Sequence, residues 1–509
     1  MSEQINKKIL NPEEMAAVCD KLRTDGKSIV QCHGVFDIFH IGHKRHLDAA
    51  KTEADTLVVS LTSDRFVNKG PDRPIFNQLL RAEMLTALDI VDYVMINDDP
   101  SAIPAIEAIK PDVYFKGDEY KAEDKDISGK IAHERETVEK HGGKLKFSSE
   151  ITFSSSNIAK HTFSNFPKHL LEYLSDIKSK FGPEQINEAM ANFARRRVLI
   201  IGEVIVDEYT YVSGLGKPSK ENIVSTLFDH KDEYMGGVVP IANTVAEFSN
   251  SVDLLTIVGQ DDLKTEKTRS SLKPDIGYHA FSLPNSVTTR KQRMVDKDHF
   301  RKLFEINYVT DAEDNTTSEK IETWLKSNIK NYDVVLVCDF GHGLIRQETA
   351  DIISSSSKFL CINVQTNSYN RGFNLISKYK SADFACIDGP EARLATVDKK
   401  GPIENIARQL RSMLSAEGLV VTNGKLGAIG INRNDAPISV PALSDKPVDT
   451  MGAGDAFFTL ASCCFFETRS IDMACFMGNS HASIQVESVG QAKIGSGISI
   501  LNYIKTLLA

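Results

Sequence analysis

The sequence predicts an α/β protein of two domains joined by a helical linker, and three observations carry that prediction. The chain has 509 residues, more than one ordinary hydrophobic core organises. Two stretches alternate short, continuous apolar runs with helical patterns, as parallel strands buried on both faces do with their crossover helices. Between them, residues 164–195 carry helical periodicity alone. The domains are therefore expected at 1–163 and 196–509.

The elements follow in order. In the first stretch, strands are expected at 28–32, 56–61, 93–96 and 113–115, with helices at 43–51 and 78–88. In the linker, Leu170, Leu171, Leu174, Ile177 and Phe181 recur at helical spacing, Gly182-Pro183 interrupts, and a second helix runs over 184–193. In the second stretch, strands are expected at 198–202, 254–258, 334–338, 360–364, 384–387 and 419–422.

Composition narrows the class of function. At 41% hydrophobic and 25% charged, the chain reads as globular. A net charge of −9 gives no general attraction to nucleic acid or anionic membrane, so phosphate chemistry must use local positive groups. The first residues lack the apolar core of a signal peptide, and no run approaches the roughly 18–20 apolar residues that span a bilayer. The eight cysteines show no C-x-x-C spacing and read as reduced core thiols. A cytoplasmic protein with no nucleic-acid or membrane partner is expected.

The first chemical motif is Cys32-His33-Gly34-Val35-Phe36-Asp37-Ile38-Phe39-His40-Ile41-Gly42-His43, where a strand ends and a helix begins. Gly34 lets backbone approach a ligand, and the helix start aims free N–H groups at phosphate oxygens. His40 and His43 can bracket a phosphate and donate to charge developing on it. His46 adds a third histidine, but no carboxylate or cysteine is spaced to complete a zinc set. Further on come Lys69-Gly70-Pro71-Asp72-Arg73-Pro74, Arg81 on a helix, Lys116-Gly117-Asp118 and Ser154-Ser155-Ser156-Asn157-Ile158. In this order they resemble the cytidylyltransferase-like nucleotidylyltransferase family over about residues 28–162, and within it the adenylyltransferase half of bifunctional ADP-heptose synthases. The resemblance implies a Rossmann-like fold. It also implies attack by a sugar or polyol phosphate on the α-phosphate of a nucleoside triphosphate, with release of pyrophosphate. By it, His40 and His43 stabilise the transition state. Gly34, Phe36, Lys69, Arg81, Lys116, Ser155 and Ser156 lie against the nucleotide or its phosphates. His33 departs from the Asn of those synthases.

The second motif is Asp449-Thr450-Met451-Gly452-Ala453-Gly454-Asp455-Ala456-Phe457. A glycine-rich turn entering a helix exposes successive N–H groups as an anion hole, and an Asp beside it can take the proton of an attacking hydroxyl. The string resembles the signature of ribokinase-like (PfkB-type) sugar kinases, and the likeness extends over about residues 196–505. It implies a ribokinase-like α/β domain with Asp455 as base and Gly452, Ala453 and Gly454 as anion hole. Thr422, Gly424 and Gly427 lie on the nucleotide side, and Glu391 orders magnesium-bound water. Asp207, Gly236, Gly237 and Asn243 bind sugar, while Lys291 and Arg293 hold a phosphate already on it. Pro240, Asp388 and Asn363-Val364 depart from the synthase pattern, and the domain order is reversed relative to it.

Together these readings give the expectation of a bifunctional sugar-activating enzyme. It would combine an ATP-dependent sugar (phosphate) kinase with nucleotidyl transfer to a sugar 1-phosphate, making an ADP-heptose-like product for a surface glycan. Mg²⁺ and ATP (or CTP) are implied, and pairing into a homodimer is implied by the kinase resemblance. Two alternatives stand beside it: a CTP-dependent polyol-phosphate cytidylyltransferase, and a transferase regulated by a catalytically silent kinase-like module.

Overall fold

The computed structural model describes residues 8–67, 73–117, 130–147, 167–218, 220, 222–260, 262–310, 314–434, 436–444, 447–487 and 496–508. The chain divides into two compact units, Met1–Pro167 with Leu501–Leu507, and Lys168–Ile500.

The first unit holds six strands: β1 (Ile9–Leu10), β2 (Ile29–Gly34), β3 (Thr56–Thr62), β4 (Tyr93–Asn97), β5 (Val113–Lys116) and β6 (Lys144–Phe147). They form one parallel sheet in the order β1-β4-β3-β2-β5-β6. β3 is buried at every position, which is why its apolar run does not alternate. One sheet face packs Val30, Val59 and Leu61 on Leu47 and Ala50 of helix Ile41–Lys51. The other packs Ile29, Val58 and Met95 on Met15 and Cys19 of helix Pro12–Thr24. That helix starts sharply because Asn11 and Glu14 close a capping box. The chain winds outward from β2 through β3 to β4, then returns to place β5 on the other side of β2. The carboxyl ends of β2 and β5 therefore flank a topological switch point, where open α/β sheets bind ligands.

The second unit is built on a nine-stranded sheet and a four-stranded one. Its strands are β7 (Arg197–Gly202), β8 (Val204–Gly216), β9 (Ser225–Gly237), β10 (Ser251–Val258), β11 (Gly277–Ser282), β12 (Arg290–Asp296), β13 (Arg301–Tyr308), β14 (Val334–Asp339), β15 (Leu360–Val364), β16 (Phe384–Asp388), β17 (Gly418–Thr422), β18 (Ala428–Asn432) and β19 (Pro437–Val440). The large sheet runs β11-β10-β7-β14-β15-β16-β17-β18-β19, parallel except for β18 and β19. The small sheet runs β13-β12-β8-β9. β8 pairs antiparallel with β9 and parallel with β12, which lines up Asp207 with Lys291.

The predicted linker is two amphipathic helices, Lys168–Lys180 and Pro183–Phe193. Both are counted with the second unit. The reason is apolar contact. Phe181 lies 5.9 Å from Phe476 and Phe193 lies 6.1 Å from Phe466, ring to ring, while Lys180 pairs with Asp472. The second compact unit thus begins upstream of the expected Arg196 boundary. Among the described residues no helix is long and apolar enough to cross a membrane.

Candidate active sites

In the first unit, β2 ends at Gly34 and the chain turns through Phe36 and Ile38, both at positive φ (49° and 47°), before helix Ile41–Lys51 begins. A β-branched Ile in the left-handed region is strained, and strain of this kind collects at functional turns. His40 is the N-cap, and its Nδ1 accepts from the Gly42 N–H at 3.1 Å. A neutral imidazole whose Nδ1 accepts carries its proton on Nε2, which fixes the tautomer of His40. The His40 and His43 rings stack 4.0 Å apart at 18°, with Phe36 and Phe39 against His43 at 5.4 and 5.5 Å. The pair is thereby held as a rigid plate at the helix N-terminus, where the helix dipole also favours an anion.

The surrounding residues divide. Lys116 ends β5, and its Nζ lies 2.9 Å from Glu134, which also accepts from Tyr114. His46 packs on Phe115, and burial, with help from the Lys116 charge, pushes its pKa down to about 4, so it is neutral near pH 7. His33 contacts the Ser60 and Thr62 hydroxyls at 2.9 and 3.3 Å. Arg81 corrects the expectation of a phosphate contact. It is fully buried, and its guanidinium donates to the carbonyls of Phe76, Val35 and Thr62 and to the Asp64 carboxylate. It is a strut that ties the turn after β2 to the end of β3. Lys69, Ser155 and Ser156 lie outside the described residues.

In the second unit, Gly452 (φ 75°) turns the chain into helix Ala453–Thr468, placing Asp455 in its first turn. Gly452, Ala453, Gly454 and Asp455 line a cavity of about 430 Å³ together with Glu391 and with Thr422, Gly424 and Gly427 from the end of β17. Gly427 is required there: at φ 85°, a Cβ would sit 1.9 Å from the Val440 carbonyl oxygen. Burial pushes the Asp455 carboxyl up to about 7, while a hydrogen bond from Gln365 and the Lys291 charge act the other way. Burial also brings Glu391 to about 7, even though it accepts from the Thr366 N–H at 2.8 Å.

Asp207, Gly236, Lys291 and Arg293 gather on the small sheet. A Cβ on Gly236 would lie 2.1 Å from Asp207 Oδ2, so glycine is what admits the Asp207 side chain. Gly237 (φ 60°) leaves no room for a Cβ either, since one would meet the Glu203 carbonyl oxygen at 2.4 Å. Arg293 is 4% exposed and bridges Asp207 at 2.5 Å and Glu305 at 2.9 Å. Lys291 is drawn on by the charges of Asp207, Glu305 and Asp455, although burial lowers its pKa overall. Asn243 is not with them. It is buried in helix Val238–Val245, and its amide is spent on Ser271 O and Lys273 N, so it staples the chain after helix Asp262–Ser271 and corrects the expected sugar contact.

Sequence reasoning missed two residues. Glu203, at 1% exposure, accepts from the Phe340 and His342 N–H groups and so shapes the turn after β14. Gln365 touches Asp455. An acidic residue directly after a buried strand was the available signal for Glu203. Nothing local marks Gln365, which is 90 residues from its partner.

Comparisons with known proteins match a family model to each of the two stretches. The pfkB family carbohydrate kinase model matches residues 195–494, more than half of the chain, and the cytidylyltransferase-like model matches residues 32–161. The bifunctional protein HldE of Geotalea uraniireducens (strain Rf4) is 39% identical over 157 residues, 30% of this chain and 30% of that one. HldE of Shewanella amazonensis (strain SB2B) is 24% identical over 325 residues, 62% of this chain and 64% of that one. The chain thus spans less than two thirds of the length of these relatives in any single match. The ribokinase of Thermotoga maritima superposes with a TM-score of 0.48 at 20% identity, covering 61% of this chain and 99% of that one. The chain belongs to the pfkB family of carbohydrate kinases and carries a cytidylyltransferase-like unit ahead of its kinase unit.

Proposed function

We propose that the chain is a bifunctional sugar-activating enzyme, a sugar-phosphate kinase and a nucleotidyltransferase making an ADP-heptose-like nucleotide sugar for a surface glycan. The observation that carries the reading is that each unit holds its own phosphate constellation at the carboxyl end of a parallel sheet: the stacked His40–His43 pair in one, and Asp455 beside the Gly452–Gly454 turn in the other.

In the kinase unit, Asp207 accepts from sugar hydroxyls, and Lys291 with Arg293 faces a phosphate already on the sugar. Asp455 takes the proton of the acceptor hydroxyl as its oxygen bonds to the γ-phosphorus of ATP and the bond to ADP breaks. The N–H groups at Gly452, Ala453 and Gly454 stabilise the charge spread over the moving phosphoryl oxygens. In the transferase unit, an oxygen of a sugar 1-phosphate attacks the α-phosphorus, and the bond to the β,γ-phosphates breaks to release pyrophosphate. His40 Nε2–H and the His43 ring donate to the oxygens on which charge builds. Mg²⁺ would neutralise adjacent phosphates in both reactions. Asp388 and Glu391 are hard oxygen donors at the kinase cavity, each with its carboxyl pushed up by desolvation although Asp388 stays exposed, so a cation bound with the nucleotide suits them. If the kinase works on a heptose 7-phosphate at its anomeric hydroxyl, a phosphatase must remove the 7-phosphate before transfer.

A second copy of the chain is the partner this reading places on the small sheet. Leu215, Leu227, Phe228, Leu303 and Phe304 of β8, β9 and β13 are 41–63% exposed, a patch of the kind that marks an interaction face. Sedimentation should give a dimer that Phe228→Glu converts to monomer. The eight free, buried cysteines suit a reducing, cytoplasmic compartment. The function is tested by supplying heptose 7-phosphate and heptose 1-phosphate separately with MgATP. ADP is expected from the first and pyrophosphate from the second.

A further inference from the structure

Asp455 does not stand alone in the kinase cavity. Gln365, the residue directly after β15, sends its side-chain Nε2 to Asp455 Oδ1 at 2.5 Å and to Asn363 Oδ1 at 3.1 Å. Asn363 is 5% exposed and donates to the Cys386 carbonyl oxygen at 3.2 Å. The Gln365 backbone is fixed as well: its N–H donates to Asp339 O, and its carbonyl accepts from Asn374. The amide orientation is therefore settled by chemistry. One of its two N–H groups can meet a carboxylate only if the nitrogen faces Asp455, and Asn363 Oδ1 takes the other.

We propose that Gln365 is a positioning residue for the kinase base: its amide holds Asp455 Oδ1 in place and leaves Oδ2 as the oxygen that takes the proton of the acceptor hydroxyl. The proposal rests on Asp455 being the base. In the step itself, the substrate O–H bond breaks with its proton going to Oδ2, the substrate oxygen bonds to the γ-phosphorus, and the oxygen between the β- and γ-phosphorus leaves with ADP. A neutral amide suits the task. A hydrogen bond to the ionised carboxylate favours the charged form, which is the form a base must have. It does so without placing a second full positive charge beside Lys291.

The groups facing Asp455 come from four other elements: Lys291 on β12, Asp207 on β8, Glu391 on helix Gly389–Thr396 and Cys338 on β14. Of these only Lys291 favours the carboxylate, while Asp207 and Glu391 oppose it. Removing the amide donor therefore moves the Asp455 carboxyl further up, and the acid limb of the rate profile moves to higher pH.

The test uses the full chain with Gln365→Met, which fills similar volume without a donor, and Gln365→Lys, which keeps one. The Asp455 carboxyl is titrated by ¹³C NMR of aspartate-labelled protein, its signal assigned with Asp455→Asn; no sugar is needed. Kinase turnover with MgATP is then followed against pH. The Met variant should titrate about one pH unit higher, shift its acid limb equally and lose about tenfold in kcat above it, with KM for ATP unchanged. The Lys variant should restore the titration to the wild-type position or below. A Met variant that titrates as wild type overturns the proposal, whatever the kinase does. A shifted titration in a protein whose Asp455→Asn variant keeps full turnover refutes Asp455 as the base and leaves only the contact.

Discussion

Replacing Arg81 by Met separates a structural strut from a phosphate contact. The wild-type guanidinium satisfies the carbonyls of Phe76, Val35 and Thr62 at 2.9, 2.5 and 2.9 Å inside a fully buried site. Each stranded carbonyl costs about 1–2 kcal/mol, so the three together cost about 3–6 kcal/mol. The fourth partner, Asp64, is 38% exposed and regains water, so it adds nothing to that sum. For a unit of this size the loss lowers the melting temperature by about 10 °C or more. Trp324, the sole tryptophan, lies in the second unit. Its fluorescence follows that unit, while far-ultraviolet circular dichroism follows both. Arg81→Met should show an early dichroism transition without a matching fluorescence change. Arg81→Lys should be destabilised nearly as much, because an ammonium lacks the planar fork that reaches three carbonyls. Normal unfolding with a nucleoside triphosphate KM raised tenfold would refute the strut and restore Arg81 as a phosphate ligand.

The other predictions concern the two sites. His43→Ala should cut pyrophosphate release at least a hundredfold with ADP formation from sugar phosphate unchanged, and Asp455→Asn should do the reverse, both read in parallel assays. Kinase turnover should fall as pH drops through about 7, because the buried Asp455 carboxyl gains its proton there and ceases to be a base; a flat profile from pH 8 to pH 5.5 would contradict this. Gly236→Ala should raise the sugar KM at least tenfold and leave KM for ATP alone, since the new Cβ displaces Asp207. Chelation of Mg²⁺ should stop both reactions, with activity returning when the metal is restored.

Much of the framework was legible in the residues. The expected strands at 360–364 and 56–61 meet β15 and β3 to within a residue, because buried parallel strands leave unbroken apolar runs. The small sheet was not legible. Nearly every residue of β13 is exposed and β9 is open along much of its length, so their apolar residues are broken up by charged ones and show no such run; pairing with β8 and β12 makes them strands. The glycine-rich turn at Gly452 could be read because its backbone demand is local. Side chains acting across the fold could not. Arg81 sits on a helix that reads as a phosphate-facing face, yet its three carbonyl partners lie in segments 5 to 46 residues away. Asn243 follows a glycine pair in the motif, but helix Val238–Val245 turns it toward Ser271.

Two separate phosphate reactions on sugars, carried by one chain, are read together by ³¹P NMR. The full chain with MgATP is given heptose 7-phosphate, and then, in a second tube, heptose 1-phosphate. A new anomeric phosphate with ADP is expected in the first tube, and a nucleotide-sugar diphosphate with pyrophosphate in the second. Pyrophosphate formed only from CTP and a polyol phosphate, with no phosphorylation of any sugar phosphate, would contradict that expectation.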